Sequence, residues 1–160
     1  MRKLVVLAGL ILLGGLACPA QTGSVTGEWR GIWTNPEGKV YTAEITLETG
    51  PGCKTCAVVS EGGIRGKIVW TLRKAGSNSL PESDGTTFTE LVKGEMKGDG
   101  LLVLNGYEID DPTHLKGIDK YRLAIADNGK VMGGITLNGG SWTGQFIAVR
   151  VQPPERRAPQ

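Results

Sequence analysis

The chain has 160 residues, with 18 Lys and Arg against 16 Asp and Glu, one His, three Cys and 25 Gly. Arg2 and Lys3 fall in a targeting segment, which leaves 16 basic against 16 acidic side chains and no charge excess with which to hold nucleic acid or an anionic membrane. About 140 residues then remain, enough for one domain with a core of its own.

Residues 1–20 read as an export signal: Arg2 and Lys3 precede the apolar run Leu4 to Leu16, and small residues follow. The run is shorter than the ~20 residues a bilayer requires, and no second apolar stretch follows, so no membrane span is expected. "GGLACPAQ" admits two cleavages. One after Ala20 frees Gln21; one before Cys18 resembles bacterial lipoprotein processing and leaves a lipid anchor on that cysteine, although Gly15 stands where that motif expects an aliphatic residue. Either route places the protein in the periplasm, outside the cell or on the outer surface of a bacterium.

The first expected strand is Glu28 to Thr34, inside "GEWRGIWTN", where two Gly-x-Trp units lie four residues apart. "YTAEITLE" follows, with Tyr41, Ala43, Ile45 and Leu47 alternating against Thr42, Glu44, Thr46 and Glu48, which gives one buried and one wet face. "CKTC" then pairs Cys53 and Cys56, and in an exported protein this reads as a local disulfide stiffening a loop. A redox pair requires a helix N-terminus, and zinc requires about four ligands where the chain offers a single His114, so no metal is expected. "IRGKIVWTLR" repeats the alternation with Ile64, Ile68, Trp70 and Leu72 on one face.

Further strands are expected at Phe88 to Lys97, Leu101 to Ile109, Lys120 to Ala126, Val131 to Leu137 and Trp142 to Val151. Between them, "DDPTHLKGID" gathers Asp111 and Asp119 near Glu108 and Asp110; it lacks the spacing of a calcium loop and reads as a solvated turn. The turns "NPEG", "KGDG", "DNGK" and "NGG" supply Asn, Asp and Gly where positive φ is needed, so consecutive strands pair as antiparallel neighbours. The tail 152–160, "QPPERRAPQ", reads as disordered.

Eight strands in one meander leave two exposed edges unless the sheet closes, so the expected fold is all-β: an eight-stranded antiparallel up-and-down β-barrel over residues 21–151. A sandwich shares the same turn spacing. Gly-x-Trp on the first strand of such a meander resembles the calycin superfamily of lipocalins, fatty-acid-binding proteins and avidins. The resemblance implies that a strand-one Trp, Trp29 or Trp33, plugs one end and that an Arg from the last strand, Arg150, covers it. "GIWTN" is most similar to avidin, which makes Asn35 a cavity-mouth residue; Lys39, where avidin carries a hydroxyl, argues against biotin. The late segment "DKYRLAIADNGKVMGGITLNGGSWTGQF" also resembles small Gly-x-Trp barrels of bacterial proteins to which no chemistry is assigned.

Catalysis has little support. His114 is the sole imidazole, "GGSWTG" does not keep the spacing of a serine elbow, and no phosphate-binding glycine loop exists, so neither an enzyme nor a cofactor is expected. The aromatic set remains: Trp33, Tyr41, Trp70, Trp142 and Phe146 must either fill the barrel or line a pocket. The first case implies an envelope protein-interaction module, the second a carrier of a small apolar ligand.

Overall fold

The computed structural model describes residues 24–50, 63–77, 84–98, 100–112, 116–138 and 140–152. The export signal with Cys18, the Cys53 and Cys56 pair, His114 and the tail beyond residue 152 lie outside the described residues.

Eight strands follow one another: β1 Gly27–Thr34, β2 Val40–Gly50, β3 Gly63–Lys74, β4 Thr87–Met96, β5 Leu101–Asp110, β6 Lys120–Ala126, β7 Val131–Asn138 and β8 Ser141–Arg150. A single 3-10 turn, Asp127–Gly129, separates β6 from β7. Each strand pairs antiparallel with the next, and β8 returns to pair with β1, so the sheet is a closed barrel rather than a sandwich. Gly38, Gly100, Gly129 and Gly140, one in each of the four expected turns, all adopt positive φ (79°, 80°, 84° and 87°), which an L side chain resists.

Alternation decides what lies inside. On β2 Tyr41, Ala43, Ile45 and Leu47 are buried, and on β3 Ile64, Ile68, Trp70 and Leu72. Val92, Leu102, Leu104, Tyr121, Leu123, Met132, Phe146 and Ala148 complete the core from the other strands. Where strands cross most closely a glycine is required: a Cβ on Gly134 would strike the Arg122 carbonyl of β6.

The two ends of the barrel differ. At one end Trp29 is 1% exposed, and the Arg150 guanidinium lies 4.3 Å from its ring centroid. Arg150 also donates to the carbonyls of Gly129, Thr26 and Ser24, tying the entry of β1 and the β6–β7 turn over that end. Trp29 is therefore the residue under the arginine, and Trp33 lies toward the opposite end, donating its indole N–H to Thr136 Oγ1 at 2.7 Å.

Trp142 departs from the alternation expected of β8. The β7–β8 register slips between Thr136 and Asn138, so the chain before Gly144 is rotated relative to the chain after it. The Trp142 ring faces outward, 36% exposed, with the Arg122 guanidinium 4.7 Å from its centroid. Phe146, beyond the slip, faces inward as expected.

These placements separate the two tryptophans by unfolding in urea. Trp29→Ala, which empties the sealed end, is expected to cost about 3–5 kcal/mol, and Trp142→Ala less than about 1 kcal/mol. Equal losses would contradict the packing described.

Candidate functional site

The end away from Trp29 opens into a cavity of about 540 Å³. Four rings wall it: Trp33 of β1, Tyr41 of β2, Trp70 of β3 and Phe88 of β4. Tyr41 is the hub, its ring centroid 5.7 Å from Trp33, 6.1 Å from Trp70 and 5.6 Å from Phe88, the last two edge to face. Such tilted contacts suit the ring quadrupoles and hold the walls without a filling residue between them.

Polar groups ring the mouth. The β1–β2 turn supplies Asn35, Glu37 and Lys39, the segment before β6 supplies Lys116 and Asp119, and β8 supplies Ser141 and Thr143. Lys116 Nζ donates to the Tyr41 hydroxyl at 2.8 Å and sits 5.4 Å from that ring's centroid; Lys39 Nζ lies 5.5 Å from it. Asn35 Oδ1 accepts the Lys39 backbone N–H at 2.9 Å, so its amide oxygen is engaged in closing the turn.

Beneath this mouth lies a buried carboxylate. Glu90 of β4 is 1% exposed, on the same face as Phe88 and Val92. Oε1 accepts the Asp119 backbone N–H at 2.8 Å; Oε2 accepts the Trp70 indole N–H at 3.4 Å and the Tyr121 hydroxyl. Gly106 on β5 leaves the space, since a Cβ there would collide with Oε1, and its N–H donates to the Asp119 carbonyl at 2.8 Å. Burial pushes the Glu90 carboxyl above its ordinary value, opposed by the donors from Tyr121, Asp119 and Trp70. Burial, together with the carboxylates of Glu90 and Asp119, holds the Tyr121 phenol well above its ordinary value, so it stays protonated and donates.

Of the residues expected at a binding site, Trp33, Asn35, Tyr41 and Trp70 line the cavity. Phe146 lies among core rings, edge-on to Trp70 and Tyr121, and Trp142 is outside the barrel. The expected solvated turn is corrected in part: Asp111 and Asp119 are buried, and Asp111 accepts the Lys116 backbone N–H at 2.9 Å, whereas Glu108 and Asp110 face outward. No group of three or more potential metal-ligating side chains gathers among the described residues. Phe88, Glu90, Lys116 and Tyr121 also belong to the site although sequence motifs do not mark them; the signal for Glu90 is an acid in phase with the apolar face of "FTELV".

The space under Glu90 is testable by adding one methyl group. Gly106→Ala is expected to destabilise by about 1–3 kcal/mol through overpacking, while Gly98→Ala, with no atom within 4 Å of the added Cβ, serves as the comparison. Matching melting temperatures for the two variants would contradict the close fit.

No protein-family model matches the sequence, and no curated protein matches it. Among solved structures the chain is similar to a redesigned β-barrel, mFAP0, bound to DFHBI, with 16% identity, a TM-score of 0.54 and coverage of 79% of this chain and 98% of that one. The S-type phycobiliprotein lyase CPES from Guillardia theta aligns with 11% identity, a TM-score of 0.35 and coverage of 80% and 89%. The similarity to the redesigned barrel is one of fold, the closed eight-stranded antiparallel barrel described above.

Proposed function

We propose that this chain is an exported binding barrel, and not an enzyme, that holds a small and largely apolar ligand in the open-ended cavity. The observation that carries this reading is a cavity of about 540 Å³ walled by four aromatic rings in a barrel whose other end is capped by Trp29 under the Arg150 guanidinium. That volume lies in the range of small-molecule sites, roughly 300–1,000 Å³. The ring faces favour a flat or conjugated body, and the polar rim accommodates one polar end of it. That mFAP0, a barrel of this fold, was solved with DFHBI bound is consistent with the reading.

A second reading, a protein-interaction module, has its own observation in favour. Ile32, Ile147 and Val149 are about half exposed, and Ile32 pairs directly with Ile147 on the outer face of β1 and β8. Such a patch suits a protein partner.

N-phenyl-1-naphthylamine, a neutral apolar fluorophore, is the first probe, followed by fatty acids, sterols, biotin and haem. A bound ligand is expected to quench tryptophan emission and to raise the melting temperature, by the equivalent of about 2.7 kcal/mol at a hundred times its Kd. Phe88→Ala is expected to weaken binding about tenfold, or about 1.4 kcal/mol. Phe88 is only partly buried, whereas Trp70 is embedded too deeply for its removal to report on binding alone. No shift with any class would leave the interaction module as the better account. For export, Cys18→Ser is expected to abolish membrane retention if that cysteine is lipidated, and to leave release of a chain starting at Gln21 unchanged if cleavage follows Ala20.

A further inference from the structure

We infer that Glu90 is the positioning residue of the cavity: its ionised carboxylate fixes the Trp70 indole and the segment from Lys116 to Asp119 as two of the cavity's walls. Its bearing on ligand affinity rests on the binding reading above.

Three donors from three elements converge on this one group. The Trp70 indole N–H and the Tyr121 hydroxyl reach Oε2, and the Asp119 backbone N–H reaches Oε1. Only an acceptor at both oxygens satisfies them all. An amide places a nitrogen that cannot accept where a donor already points, while a protonated acid still accepts at both oxygens but turns its O–H toward one of the donors. Tyr121 can rotate its hydroxyl to become an acceptor, whereas the indole and backbone N–H groups are fixed in direction. Glutamine at this position must therefore give up either Trp70 or Asp119, and both line the cavity.

The arrangement is held against its own cost. Because burial raises the Glu90 carboxyl above the value it has in the unfolded chain, the folded protein retains the proton more readily than the unfolded one. Its contribution to stability is thus most favourable below the unfolded pKa and declines as pH rises through the raised one.

Among the described residues, the titratable groups facing Glu90 are Tyr121 on β6 and Asp119 before it. The elements on its other sides present the Trp70 indole of β3 and Gly106 of β5, neither of which titrates. Asp111, Lys116 and Tyr41 are linked to one another at the mouth, where Lys116 joins the other two.

The test follows the Trp70 indole N–H resonance of the unliganded protein between pH 8 and pH 4, identified by its loss in Trp70→Phe. In the wild type it is expected to shift as Glu90 takes up a proton. In Glu90→Gln it is expected to be flat, and in Asp119→Asn the shift is expected to persist. Tyr121→Phe removes a donor from the charged form, so the midpoint should move to higher pH; this variant keeps the test decisive if Glu90→Gln does not fold. N-phenyl-1-naphthylamine stays neutral over this range, and its affinity for the wild type is expected to fall several-fold on acidification, with Glu90→Gln weak at every pH. An indole shift that survives Glu90→Gln, disappears in Asp119→Asn or keeps its midpoint in Tyr121→Phe overturns the inference. So does a probe affinity indifferent to both pH and Glu90→Gln. Failure of the wild type to bind any probe would overturn the binding reading instead, and the indole titration would still decide the role of Glu90.

Discussion

Closure of the sheet is the constraint on which everything else in this protein depends. When β8 pairs with β1, six register pairs from Trp29↔Arg150 to Thr34↔Gln145 remove the last unpaired edge and fix which side chains face inward. The same pairing sets Arg150 beside Trp29 and Phe146 beside Trp33. One end of the barrel is thereby capped by an aromatic ring under a guanidinium, while the interior toward the other end is lined with rings in edge-to-face contact, Trp70 of β3 reaching Phe146 of β8.

The interior is graded along its axis as a result. Toward the capped end the buried side chains include Trp29 with Ile45, Leu47 and Ile64; toward the mouth Trp33, Tyr41, Trp70 and Phe88 give way to Glu37, Lys39, Lys116 and Asp119. Glu90 stands at the boundary. A carboxylate so deep would be costly without partners, and here its partners come from three separate elements. The glycine that admits it also holds the carbonyl of Asp119. Packing and polar satisfaction are therefore one problem at this place in the fold, and the solution leaves the loop before β6 pinned at both backbone groups of a single residue.

Much of the architecture was legible in the sequence because a strand with one wet face writes its orientation into every second residue. The alternation of Tyr41 to Leu47 and of Ile64 to Leu72 matches their burial for that reason, and the turn glycines mark where strands end. Alternation does not place Trp142, because a one-residue slip in β7–β8 reverses the phase, and the slip arises from the pairing of two strands rather than from either alone. Glu90 does not stand out by alternation, which gives no meaning to an acid on an apolar face. Its meaning depends on Trp70, Asp119 and Tyr121, which lie 20, 29 and 31 positions away. In the sequence Asp119 is one of several neighbouring acids, since its burial is a property of the loop path.

The grip of Arg150 on Ser24 and Thr26, together with the bond from the Val151 N–H to the Glu28 carbonyl, has a consequence for how the barrel can be presented. The described chain enters and leaves at the same pole, and the mouth lies at the other. Whatever is joined ahead of residue 24 or behind residue 152, whether a surface, a neighbouring module or a reporter, attaches at the blind pole.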